Sequence, residues 1–213
     1  MKVYIDELKF GNPCKEDYQV ARMDTYLDRV VMEMRKWPPP KNGSTGTKRE
    51  LDLLVEYSNS DKGDDFRDIY DKQLIPHLQQ IFIEAGANAE EVKVVSENVV
   101  TDIYPVITKL KYYFQRPRPF QLACYYKLNL FPKYSHYVSS PSYPSGHTTM
   151  AAVVCEVLGN RFPEMYGLVK GLVTDISESR LYMGVHYPSD NDRALMLMRE
   201  IISHPVFRAK YEL

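Results

Sequence analysis

Basic side chains, two histidines, a carboxylate and a glycine turn gather between Lys111 and Asp190. One cluster is Lys111-Tyr-Tyr-Phe-Gln-Arg116-Pro117-Arg118-Pro119-Phe120, a second is Tyr143-Pro144-Ser145-Gly146-His147-Thr148, and a third runs from Ser179-Arg180 through His186 to Asp190. These residue types suit holding a phosphate and attacking it. A phosphoryl group in transfer spreads negative charge over its equatorial oxygens, so catalysis is mostly positioning plus stabilisation of that charge. Lys111, Arg118 and Arg180 supply cations, and arginine offers a two-pronged match to phosphate oxygens. Ser145 adds a hydroxyl donor, and Gly146 lets a backbone amide approach at the positive end of an expected helix.

The two histidines suit complementary roles. His186, neutral, is the candidate nucleophile at phosphorus, and Asp190 four residues on is placed to hold its other ring nitrogen and fix the tautomer. His147 is the candidate general acid for the leaving alkoxide and then the base that activates water. The pair must begin turnover in different protonation states, which predicts a bell-shaped pH profile. Two frames satisfy the lysine-to-arginine spacing, Lys109 with Arg116-Pro117 and Lys111 with Arg118-Pro119. His147, His186 and Asp190 are the only hint of a metal site, and the reading is that no metal is used.

The ordered set Lys-x6-Arg-Pro, Pro-Ser-Gly-His and Ser-Arg-x5-His-x3-Asp resembles the signature of the type 2 phosphatidic-acid phosphatase superfamily. That superfamily takes in lipid phosphatases, bacterial class A non-specific acid phosphatases and vanadium haloperoxidases. The resemblance implies phosphate binding by Lys111, Arg118, Ser145, Gly146 and Arg180, with His186 as nucleophile, His147 as acid/base and Asp190 as orienter. It favours the second frame, because Arg118-Pro119-Phe120 is similar to the Arg-Pro-Phe of the acid phosphatases. The expected activity is a metal-independent phosphomonoesterase working through a phosphohistidine on small-molecule phosphate esters, without a cofactor. The alternatives are a vanadate-dependent haloperoxidase using the same anion pocket, a soluble lipid-phosphate phosphatase, and a non-catalytic anion-binding module. Vanadate is then an inhibitor under the first reading and a cofactor under the second. The resemblance also implies a compact all-α bundle and a homodimer.

The elements that must position these residues read as helices. The 213 residues suit one domain (1–213) with an irregular arm at 1–15 and a motif core at 109–192. A net charge of -1 gives no bulk attraction for nucleic acid, so an anion site must be built locally. No apolar run approaches the ~20 residues that span a bilayer, and no signal peptide is visible. The expectation is a soluble, cytoplasmic protein, or a periplasmic or secreted one if a leader has been removed. Three cysteines without a close pair argue against disulfides or zinc. Apolar periodicity predicts helices over 16–36, 64–85 (kinked or split at Pro76), 90–114, 147–160, 164–183 and 189–202, with a shorter one around Leu51–Tyr57. Pro38-Pro39-Pro40 should end the first, Gly86 the second, and Asn88 should cap the third.

Overall fold

The computed structural model describes residues 2–60, 62, 64, 70, 71, 73–133 and 138–213, and among the described residues the regular structure is helical, without a strand. The elements are α1 (Lys2–Ile5), α2 (Lys15–Val20), α3 (Asp28–Met34), α4 (Thr45–Ser58), α5 (Leu74–Glu84), α6 (Ala89–Phe114), α7 (Pro119–Ala123), α8 (Gly146–Arg161), α9 (Tyr166–Tyr182), α10 (Pro188–Ser203) and α11 (Pro205–Tyr211). Twelve of the sixteen residues of α8 are buried, so it has almost no solvent face and lies at the centre. It packs against α5, α6, α9 and α10. The main core joins Leu78 and Phe82 of α5, Val99 and Ile103 of α6, Val153 and Val157 of α8, and Leu197 and Ile201 of α10. A smaller apolar cluster brings Leu51 and Leu54 of α4 against Leu122, Leu130 and Tyr187, beside the motif residues.

Capping explains where α6 begins and ends. The Asn88 side chain accepts from the amide of Glu91 at 3.0 Å, and Glu90 and Glu91 sit where the helix dipole favours negative charge. The helix carries Pro105 in its interior and still runs to Phe114, where Gln115 adopts a left-handed conformation (φ 51°) and stops it. Gly86, at φ +104°, ends the preceding α5.

Several expectations need correction. The helix expected over 16–36 is two short helices, α2 and α3. Between them the Asp28 carboxylate accepts from the amide of Thr25, and the Thr25 hydroxyl accepts from that of Leu27, local bonds that compete with a helical ladder. Met23, an apolar residue of this stretch, lies exposed. The arm at 1–15 is only partly irregular: α1 forms one turn, and the Asn42 side chain donates to the carbonyls of Ile5 and Leu8. Pro76 lies in the first turn of α5, where its missing amide breaks no hydrogen bond, and the helix expected over 64–85 is split just ahead of it, at the non-helical Gln73. The part of the expected 64–85 helix at 65–69 and 72 lies outside the described residues, as does His136. The short helix expected around Leu51–Tyr57 begins earlier, at Thr45, because the Ser44 hydroxyl accepts from the amide of Thr47 at 3.1 Å. The last helix, α11, went unforeseen.

Candidate active site

Five elements deliver the motif residues to one place. Lys111 lies in the last turn of α6, Arg118 just before α7, Gly146 and His147 in the first turn of α8, Arg180 in the last turn of α9, and Asp190 in the first turn of α10. His186 occupies the turn between α9 and α10. That turn needs Gly184, which sits at φ +67°, a conformation that favours glycine. All of these residues are buried.

A cavity of about 100 Å³ is lined by Lys111, Arg118, Gly146, His147 and His186, together with Asp17, Tyr104, Ile107, Tyr112, Ser140 and Met150. Pockets that swallow a drug-sized ligand are several times larger, so this one has room for an oxyanion while the bulk of a substrate stays outside. The two lysine–arginine frames separate here. Lys111 Nζ donates to the carbonyl of Pro141 at 2.5 Å, and Arg118 Nε donates to that of Ser140 at 2.8 Å, so adjacent carbonyls of one loop hold both cations at the cavity. Lys109 instead pairs with Asp28 on α3 at 2.5 Å. Arg116 lies behind the cavity, with Nη1 donating to Asp190 Oδ1 at 2.6 Å and Nη2 to Glu50 Oε2 at 3.0 Å.

The tautomer of His186 follows from its partners. Arg118 Nη1 lies 3.0 Å from His186 Nε2, and a guanidinium can only donate, so Nε2 must present its lone pair. The ring proton therefore resides on Nδ1, which donates to Asp190 Oδ2 at 3.0 Å. The same carboxylate oxygen accepts from the amide of Tyr187 at 3.0 Å. Burial works to raise the pKa of Asp190, but Arg116 and the contacts with His186 and Tyr187 outweigh it and hold the carboxyl well below the usual range.

Ser145 and Arg180 stand one layer behind the lining. The Ser145 hydroxyl donates to that of Thr148 at 2.9 Å. Arg180 Nη1 donates to Asp71 Oδ1 at 2.8 Å, whereas its other terminal nitrogen, Nη2, is buried with no hydrogen-bond partner. A buried guanidinium nitrogen without an acceptor is costly, and an anion's oxygen would satisfy it. His147 Nε2 lies 3.5 Å from the carbonyl of Asp71 and 3.9 Å from its carboxylate.

Electrostatics in the site follow from burial among like charges. Burial, then Arg180 and His186, push the pKa of His147 well below the ordinary histidine value. Burial and Arg118 do the same to His186 against the pull of Asp190. Lys111 is lowered by burial and by Arg118, and Arg118 falls to about 10, chiefly through burial. In all four groups burial is the leading cause, and a neighbouring cation or histidine adds to it.

Sequence reasoning missed Asp71 and Glu50, which join the site from 109 and 66 positions away in the chain. Neither belongs to a motif, so only the fold reveals them. Arg116 did leave a signal, since it satisfies the motif spacing in the rival frame. Among the described residues no group of three or more metal-ligating side chains could hold a metal ion, and no helix is long and apolar enough to cross a membrane.

Comparison with known proteins adds a match to one family model. Residues 94–197 match the model of the PAP2 superfamily. The chain is also similar, at 18% identity and a TM-score of 0.40, to the crystal structure of the first transmembrane PAP2 type phosphatidylglycerolphosphate phosphatase from Bacillus subtilis. That alignment covers 92% of this chain and 85% of the other. No curated protein sequence matches.

Proposed function

From the match of residues 94–197 to the PAP2 superfamily model and from the geometry of the site, we propose that this chain is a PAP2-type phosphatase hydrolysing phosphate monoesters through a phosphohistidine on His186. The observation that carries this reading is His186 itself, held by Asp190 in the Nδ1–H tautomer with its Nε2 lone pair turned toward Arg118 in a cation-lined cavity.

An ester dianion entering the cavity takes over the donors of Arg118 and Lys111 and supplies an acceptor for Arg180 Nη2. Arg118 then leaves His186 Nε2 free to bond phosphorus as the bond to the leaving oxygen breaks. Asp190 stabilises the charge that develops on the ring. His147 delivers a proton to the leaving oxygen and afterwards accepts one from the water that cleaves the phosphohistidine. Burial, and after it Arg180, oppose the charging of His147. The two negative charges of the ester reverse that field, so binding and protonation of His147 are coupled. Substrate loading thus arms the acid.

Hydrolysis of p-nitrophenyl phosphate in the presence of EDTA tests the proposal. The wild type is expected to turn over, His186→Ala to lose turnover by ~10³-fold or more, and His147→Ala by ~10²–10⁴-fold, the span of a missing general acid. Turnover unchanged in His186→Ala would overturn the nucleophile assignment. A silent wild type that oxidises bromide with peroxide once vanadate is added would overturn the phosphatase reading.

A further inference from the structure

We propose that Arg116, braced by Glu50, is a positioning residue that fixes the Asp190 carboxylate and, through it, the ring of His186. The catalytic meaning of this inference rests on the phosphatase reading above; the geometry does not.

Arg116 lines no part of the cavity. Its side chain is fully buried, and Nη1 reaches both Ser189 Oγ at 2.8 Å and Asp190 Oδ1 at 2.6 Å. Asp190 thus divides its oxygens, with Oδ1 given to Arg116 and Oδ2 to His186 Nδ1 and the Tyr187 amide. With Oδ1 pinned, the carboxylate cannot rotate about its bond to Cβ without breaking the short contact, so Oδ2 keeps its place under the imidazole.

Glu50 holds the clamp itself. Its Oε2 accepts from Arg116 Nη2, and its Oε1 accepts from the amide of Ser189 at 2.7 Å, an otherwise orphan donor in the first turn of α10. The guanidinium also lies 3.8 Å above the ring of Tyr187. One glutamate of α4 therefore fixes both the arginine and the helix end that carries Asp190. Two carboxylates face this single cation on the side away from the cavity. Arg118, Lys111 and His147 face His186 from the cavity side. Further titratable neighbours of Arg116 and Asp190 are Tyr187, whose hydroxyl is buried, and Tyr143.

The positioning role has a signature that a merely structural ion pair lacks, because the two partners carry opposite charge. Removing Arg116 takes a positive charge from beside the His186–Asp190 dyad and raises its affinity for a proton. Removing the charge of Glu50 lowers that affinity. The dyad titrates as a unit, so the sign holds whichever of its members takes the proton.

The first measurement is the acidic limb of the kcat/KM profile for p-nitrophenyl phosphate. Arg116→Met is expected to move that limb upward by ~1 pH unit, the size of losing one close opposite charge, and Glu50→Gln to move it downward. The same Arg116→Met should lower kcat by ~10-fold or more and leave KM within ~2-fold, as for an interaction that matters only in the transition state. The second measurement needs no turnover: the downfield proton NMR signal of His186 Nδ1–H, assigned by its loss in Asp190→Asn. It should broaden or vanish in Arg116→Met and survive in Glu50→Gln. A signal unchanged in Arg116→Met, or limbs that do not move in opposite directions, would overturn the clamp. Should Arg116→Met fail to fold, an unmoved limb in Glu50→Gln does the same. A wild type without phosphatase activity whose NMR signal still depends on Arg116 would sink the phosphatase reading and leave the clamp standing.

Discussion

Lys109 and Lys111 stand two residues apart on α6 and so point about 200° apart around its axis at 3.6 residues per turn. One reaches outward to Asp28, the other into the cavity beside Arg118. The consequence is a kinetic contrast between two nearly identical substitutions. Lys111→Met removes a buried cation from the anion pocket and should raise KM for p-nitrophenyl phosphate by ~10-fold or more, since a charge-assisted hydrogen bond is worth roughly 1.5–3 kcal/mol. Lys109→Met should leave kcat and KM within ~2-fold and cost at most ~1 kcal/mol of stability, because its partner Asp28 is 44% exposed. Steady-state kinetics and urea denaturation of both variants check this. A Lys109 variant with the larger KM effect would reverse the assignment of the pair. Spacing alone could not choose between the two frames, because each lysine precedes its arginine by seven positions. Side-chain direction on the helix separates them, and so does burial, which leaves Arg116 behind the cavity. Asp71 and Glu50 were beyond reach for a different reason: each is one acidic residue among several nearby, Asp71 after Asp61, Asp64, Asp65 and Asp68 and Glu50 before Asp52 and Glu56, and a contact across 109 or 66 positions leaves no local pattern to single it out.

At the scale of elements, what the sequence revealed depended on whether local chemistry and tertiary packing agreed. For α6 they agreed, with Asn88 as cap, glutamates in the first turn and an apolar stripe that is buried. For the stretch 16–36 they did not, since the Thr25 and Asp28 side chains supply competing bonds and Met23 finds no core to join. The turn that delivers His186 is the most exacting of these local structures. Gly184 holds φ +67°, and a Cβ there would lie 3.3 Å from Leu130 Cδ1. Gly184→Ala should therefore lose about 1–2 kcal/mol from the left-handed conformation alone, read as a lower urea midpoint. Because Val185 and His186 follow directly and the carbonyl of Val185 accepts from Arg118 Nη1 at 2.8 Å, kcat should fall with stability. An alanine variant as stable as the wild type would show that the turn can relax into an ordinary conformation.

For the molecule as a whole, a net charge of -1 supplies no bulk attraction for anions, so the proposed function places anion affinity in the buried cluster of Lys111, Arg118 and Arg180. That cluster links folding to pH. Both His147 and His186 are held below the ordinary histidine pKa in the empty site, chiefly by burial. As pH falls below about 6.5, the unfolded chain takes up protons on these two residues that the native protein does not. Stability should then decline with acidification by up to about 1.4 kcal/mol per pH unit for each histidine, until the native pKa is reached. Asp190 acts in the same direction lower down, since its depressed carboxyl stabilises the fold above pH ~4 and that contribution is lost as pH falls toward its native value. Inorganic phosphate should counter the decline twice, by binding only the native state and by letting His147 accept its proton there. Thermal unfolding from pH 7.5 to 5 should thus show a falling Tm in phosphate-free buffer and a shallower fall with millimolar phosphate. The slope should also flatten in His147→Asn, which removes one of the two groups. A Tm that holds level without phosphate would mean that the histidines already carry their protons in the empty site, and the coupling between substrate loading and the general acid would have to be abandoned.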